Sequence, residues 1–81
     1  MTESAIKAKI EAVVQGNYSA WTIGITDDPD RRKGEHGNPP GWRHWYADTE
    51  QIARDVEKHF LAKDMKGDTG GGFSPNYVYI F

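Results

Sequence analysis

The chain has 81 residues, enough for one small domain, and its 37% hydrophobic and 12% aromatic content favours a packed core over disorder. It has no cysteine, which excludes disulfides and thiolate metal sites. The net charge of -2 argues against a general polyanion binder, although a local basic patch can still contact phosphate. The N-terminal segment lacks the apolar stretch of a signal peptide, and no run of about 20 apolar residues occurs. We therefore expect a cytoplasmic protein without a membrane partner.

Hydrophobic periodicity and capping residues predict three helices and three strands in alternation. The predicted helices cover residues 4–15, about 27–35, and about 50 to near 66–67. The predicted strands cover residues 20–26, 42–47 and 77–81. This order, α-β-α-β-α-β, predicts a single α+β domain over residues 1–81, with a small three-stranded sheet flanked by three helices.

The first strand has two different faces. Ile23 and Ile25 lie on one face, as alternation requires. Thr22, Gly24 and Thr26 lie on the other face, which is small and polar. We therefore expect another group to approach this second face closely.

Arg32 and His36 are four residues apart and share one face of the predicted second helix. The pair suits a phosphate, because a guanidinium makes bidentate contacts and an imidazole can donate or accept a proton. The alternative is a solvated helix face, on which these cations form ordinary ion pairs with neighbouring aspartates.

Glu57 borders the apolar row of the third helix. A half-buried carboxylate at that position can hold a divalent metal, although most helix glutamates are simply exposed. The histidines, His36, His44 and His59, are scattered without close ligand spacing, which disfavours a zinc site.

Aromatic and glycine-rich segments have less specific interpretations. Trp42, Trp45 and Tyr46 favour core and edge packing over stacking on nucleic-acid bases. The glycine-rich segment 67–72 lacks the Lys-Ser/Thr ending of a phosphate loop, so we expect a flexible connection there.

Taken in order, Ile23-Gly24, Arg32, His36 and Glu57 resemble the GIY-YIG nuclease domain. In that family a strand ending in Tyr-Ile-Gly precedes a helix with a catalytic Arg, often with a His four residues later, and a later helix carries a metal-binding Glu. The resemblance covers residues 21–61, about half the chain. It implies that Arg32 stabilises the attacked phosphate, that His36 assists in orientation or proton transfer, and that Glu57 binds one Mg²⁺ or Mn²⁺.

The chain departs from the family at two tyrosines. The Gly-Ile-Tyr strand is absent, because a helix is predicted in its place, and Thr22 stands where the second motif has tyrosine. We hypothesise that the C-terminal strand fills the sheet position of the missing strand, as in a circular permutation. Tyr77 or, preferably, Tyr79 would then supply the tyrosine that activates water. The alternative is that both are ordinary strand residues.

The resemblance implies metal-dependent hydrolysis of DNA or RNA phosphodiester bonds. One alternative is a catalytically inactive GIY-YIG-like fold that acts as a small binding or interaction module. Another is a structural or adaptor domain in which the motif survives only for folding. A monomer is compatible with the sequence, and so is a dimer paired through the edge of the C-terminal strand.

Overall fold

The structure is a computed structural model that describes residues 1–68 and 74–81. Its elements are α1 (Glu3–Val14), a 3₁₀ turn (Tyr18–Ala20), β1 (Thr22–Thr26), α2 (Pro29–Glu35), β2 (Arg43–Tyr46), α3 (Glu50–Leu61), β3 (Lys66–Gly67) and β4 (Tyr77–Ile80). The predicted α+β class is confirmed. The sheet has four strands in the described residues, one more than predicted. Most of the glycine-rich connection predicted over 67–72 lies outside the described residues, which include only Gly67 and Asp68 of it.

The C-terminal strand lies inside the sheet. The strand order is β2-β4-β1-β3, with β4 antiparallel to both of its neighbours and β3 parallel to β1. The expectation of a free edge on the C-terminal strand is therefore wrong, because both of its edges form ladder hydrogen bonds. The outer strands of the described sheet are β2 and β3.

The third helix ends at Leu61, well before the predicted end near residues 66–67. Asp64 adopts a left-handed backbone conformation with φ 76°, which turns the chain out of the helix. Lys66 and Gly67 then pair with β1. A two-residue strand is too short to show periodicity, which explains why the sequence pattern missed it.

The apolar core lies between one face of the sheet and the helices α1 and α3. It is formed by Ile6, Ile10, Val14, Ile23, Ile25, Ala47, Ala53, Val56, Phe60, Met65, Val78 and Ile80. Side-chain caps by Thr2 and Thr49 start the two helices that cover this face. Among the described residues, no helix has the length and apolar character that a membrane crossing requires.

Candidate functional site

Tyr79 occupies the small face of β1. In the antiparallel register, Gly24 lies opposite Tyr79. A Cβ atom built on Gly24 would overlap the phenol oxygen and the ring carbon that carries it. The close approach predicted for this face is confirmed, and the approaching group is the C-terminal tyrosine. Glycine is required there because its missing side chain makes room for the ring.

Helix α2 directs two side chains at this tyrosine. Asp28 caps the helix by accepting the Arg31 backbone N–H at 3.1 Å, and Pro29 occupies the first helical position. His36 forms the C-cap, and its backbone N–H donates to the Arg32 carbonyl at 3.2 Å. Arg32 and His36 therefore lie one turn apart on one side of the helix, as their spacing predicts.

The two neighbouring arginines have different surroundings. Arg31 is 48% exposed and forms ion pairs with Asp27 at 3.0 Å and Glu35 at 3.8 Å. Arg32 is only 21% exposed and points toward the sheet. The solvated-face interpretation therefore describes Arg31, whereas Arg32 belongs to a separate, partly buried cluster.

That cluster is centred on one oxygen of Asp68. Its Oδ2 atom accepts hydrogen bonds from Arg32 Nη2 at 2.9 Å and His36 Nε2 at 2.7 Å, and a further one from the Tyr79 hydroxyl. Arg32 Nε also donates to the Tyr79 hydroxyl at 3.3 Å, and Arg32 Nη1 donates to Glu35 at 2.9 Å. Three side-chain donors thus converge on a single carboxylate oxygen.

Asp68 was missed by sequence reasoning. It lies in the glycine-rich segment that was predicted to be a flexible connection. Its backbone N–H donates to the Ile23 carbonyl at 3.1 Å, directly after β3. The pairing of β3 with β1 therefore fixes its position, and no local sequence pattern signals that pairing.

The environment sets the charge state of the cluster. Burial alone would raise the pKa of Asp68, but hydrogen bonds from Tyr79, His36 and Arg32 outweigh it and lower the pKa. Burial and the hydrogen bond to Asp68 raise the pKa of Tyr79 well above its ordinary range. Hydrogen bonds to Tyr79 and Glu35 raise the pKa of Arg32. At neutral pH the site therefore holds an aspartate anion, an arginine cation and a protonated phenol.

Aromatic rings pack against the Tyr79 and His36 rings and hold these two donors in place. The Trp42 ring stacks on the Tyr79 ring with centroids 4.4 Å apart and an interplanar angle of 12°. Phe81 lies 5.7 Å from Trp42 and 4.6 Å from the His36 ring. Trp42 and Trp45 are both partly buried, which agrees with the predicted packing role, whereas Tyr46 is 51% exposed.

Glu57 is half-buried on α3. Burial raises the pKa of its carboxyl group, nearby Arg54 lowers it, and Asp68 raises it again. Glu57 is thus linked to the cluster electrostatically, through the charge of Asp68. A carboxylate that is partly removed from water, with a second carboxylate in electrostatic range, is favourable for a cation.

A magnesium site built on Glu57 would need little from the protein. No group of three or more metal-ligating side chains occurs within residues 1–68 and 74–81. Mg²⁺ usually binds one or two protein carboxylates and keeps several waters. Glu57 fits that mode of binding.

A groove of about 540 Å³ opens beside the cluster, between α1, α2 and β2. Its polar lining includes Lys9, Lys33, Arg43, His44 and one acid, Asp30, and its walls include the Trp42 ring. Because Trp42 also stacks on Tyr79, the groove and the cluster share a wall.

The chain matches no protein-family model, and no curated protein or solved structure is significantly similar to it. The chemistry of the site therefore rests on its own geometry. That geometry combines a permanent cation, an imidazole and a phenol that donate to one anionic oxygen. Such a donor set suits an oxyanion.

Proposed function

We propose that this chain is a GIY-YIG-like domain that hydrolyses phosphodiester bonds of DNA or RNA with a divalent metal. The observation that carries the proposal is the position of the Tyr79 hydroxyl, 3.3 Å from Arg32 Nε and joined to His36 through Asp68. A strand outside the resembling segment thus supplies a tyrosine beside the two α2 residues. The pairing of β4 with β1 supports the hypothesis of a permuted arrangement.

Each residue has a distinct role in this proposal. Arg32 stabilises the negative charge that develops on the attacked phosphate, since its guanidinium is held in place before reaction. His36 orients the phosphate or transfers a proton. Tyr79 donates a hydrogen bond, because its raised pKa keeps the phenol protonated at neutral pH. The proposal therefore departs from the base role that the resemblance implies for this tyrosine.

Glu57 would hold one Mg²⁺ or Mn²⁺. When bound, such a metal neutralises charge on phosphate oxygens and acts as a Lewis acid. The partly buried Glu57 carboxylate, with Asp68 in electrostatic range, supports this assignment.

The groove supports a nucleic-acid substrate despite the negative net charge of the chain. Lys9 and Lys33 line it, and neither takes part in an ion pair between residues of the ranges 1–68 and 74–81. Cations of this kind bind phosphates. A strand bound in the groove would lead past Trp42 to the cluster.

The test is a cleavage assay on supercoiled plasmid, single-stranded DNA and RNA, with Mn²⁺ or Mg²⁺ and with a chelator. We expect R32A to lower the rate by about 10²- to 10³-fold, as removal of a transition-state donor does. We expect E57A to abolish metal-dependent cleavage. The matched control is R31A. Arg31 is the neighbouring arginine, and its ion pairs with Asp27 and Glu35 lie outside the cluster. R31A should therefore retain the rate.

Two results would contradict the proposal. Cleavage that persists in both R32A and E57A would indicate a contaminating nuclease. Absence of cleavage of all three substrates by the unaltered protein, in either metal, would exclude the activity.

A binding module without catalysis is the second candidate. It is favoured by the occupancy of the cluster, since Asp68 fills the position that the three donors define. Oligonucleotide binding without cleavage, weakened by substitution of Lys9 or Lys33, would support this candidate.

A further inference from the structure

The donors around Asp68 are arranged as they would be around a phosphate oxygen. A carboxylate oxygen and a non-bridging phosphate oxygen are both anionic acceptors with several lone pairs. Oδ2 of Asp68 receives Arg32 Nη2 at 2.9 Å, His36 Nε2 at 2.7 Å and the Tyr79 hydroxyl. The side chain of Asp68 is 15% exposed and those of Arg32 and His36 are slightly more so, which means that solvent reaches the cluster.

Each donor is also held by contacts that do not involve Asp68. Arg32 is bound to Glu35 at 2.9 Å and to the Tyr79 hydroxyl at 3.3 Å. The Tyr79 ring is stacked against Trp42. His36 is the cap of α2, and its ring lies 4.6 Å from that of Phe81. The three donors would therefore keep their positions if the Asp68 carboxylate left.

The backbone of Asp68 is anchored independently of its side chain. Its backbone is fixed by the hydrogen bond to the Ile23 carbonyl. Only its short side chain must rotate about χ1 to withdraw the carboxylate. With a fixed backbone and a side chain that can rotate, the Asp68 carboxylate is better described as a group that occupies the site than as a group that builds it.

We infer that Arg32, His36 and Tyr79 form a binding site for a phosphate group, and that Asp68 fills this site as an intramolecular stand-in which the phosphate displaces. The inference deepens the proposed function, on which it rests for the identity of the ligand, and adds self-inhibition by Asp68. Ligand binding must compete with the closed state, in which Asp68 fills the site. The apparent affinity is therefore the affinity of the open site multiplied by the fraction of molecules that are open.

The experiment titrates two probes into the protein in chelator, without metal. The probes are inorganic phosphate and the dinucleotide TpT, whose only phosphate is a diester. Binding is followed by NMR of the His36 imidazole and the Arg32 Nε–H. The proteins are the unaltered chain, D68A, D68N, the double variant R32A/D68A, and D55A as a control that removes the same charge from α3.

Removal of Asp68 should strengthen binding. If about one molecule in ten of the unaltered chain is open, D68A should bind about tenfold more tightly. D68N, which lacks the anion but keeps the shape, should fall between the two. D55A should bind like the unaltered chain, and R32A/D68A should lose the gain. Tighter binding of phosphate than of TpT would identify a monoester site, and the reverse a diester site.

The inference is overturned if folded D68A binds both probes no more tightly than D55A. It is also overturned if D68A and D68N lose the Arg32 and His36 signals of the ordered site, because Asp68 would then position the donors. Tighter binding by D68A without cleavage by any variant would uphold the phosphate site and exclude the nuclease proposal.

Discussion

Adjacent residues of β4 face two chemically different environments. Val78 and Ile80 enter the apolar core between the sheet and the helices α1 and α3. Tyr79, between them, lies on the opposite face with Arg32 and Asp68 and is almost as fully buried. Burial therefore has two purposes in this sheet. One face is filled by apolar side chains. The other is filled by polar groups, which stabilise a small core less than apolar groups of the same size would.

The polar face is costly unless every group finds a partner. A buried polar group without a hydrogen bond destabilises the fold by about 1–3 kcal/mol. No buried side-chain nitrogen or oxygen lacks a partner within residues 1–68 and 74–81. The full pairing of a charged cluster makes the polar face affordable, but apolar residues would fill the same space without that requirement. This difference is why we assign function to one face and stability to the other.

The largest effect on stability is expected from the core face. Ile80 is fully buried, so I80A should lower the free energy of unfolding by about 2–5 kcal/mol through lost burial and a cavity. Urea unfolding followed by circular dichroism measures this. A loss below about 1 kcal/mol would show that this face is not the main core.

The contact between β1 and Tyr79 gives the next effect. A Cβ at Gly24 would overlap the phenol, so G24A should destabilise by about 1–3 kcal/mol and displace Tyr79 from Arg32. In a Y79A background the overlap is absent, and most of the cost should disappear. Urea unfolding of the two single variants and the double variant measures this coupling.

The control for that substitution is G34A on α2. A Cβ at Gly34 meets no atom within 4 Å. Alanine in a helix should therefore stabilise the protein by about 0.4–1 kcal/mol. An equal loss of stability in G24A and G34A would contradict the account of the Tyr79 contact.

Acid should weaken the polar face specifically. The pKa of Asp68 is lower in the folded protein than its ordinary value of 3.8. Its contribution is therefore fully present above that ordinary value and is lost as pH falls through the lower folded value. The free energy of unfolding, measured from pH 6 to pH 2, should fall more steeply for the unaltered chain than for D68N. Parallel profiles would show that Asp68 gains nothing from its three donors.

Much of the fold follows from local sequence signals. Periodicity and caps predict α1, β1 and α2 to within two residues at each end, and the four-residue spacing of Arg32 and His36 places them on one face. Alternation predicts that β1 has a small face, which Tyr79 fills. The periodicity, the caps and the alternation depend only on neighbours along the chain.

The features that the sequence missed depend on distant pairing. The carboxylate of Asp68 reaches the site because β3 pairs with β1, 44 positions earlier in the chain at Thr22 and Lys66. The early end of α3 depends on the left-handed Asp64. The interior position of β4 results from packing of the whole sheet. The metal role of Glu57 and the nuclease activity stay predictions.

The most direct test of the two-face account compares Y79F with I80V, neighbours on one strand. Cleavage rate and free energy of unfolding are measured for both. Y79F should lower the rate by about 10²-fold, the loss typical of a removed transition-state donor, and should lower stability by about 1–2 kcal/mol, comparable to the loss in I80V. I80V should lower stability by about 0.5–1.5 kcal/mol and leave the rate unchanged. Full cleavage by Y79F, or a fall in rate that follows stability in both variants, would contradict the assignment of function to the Tyr79 face.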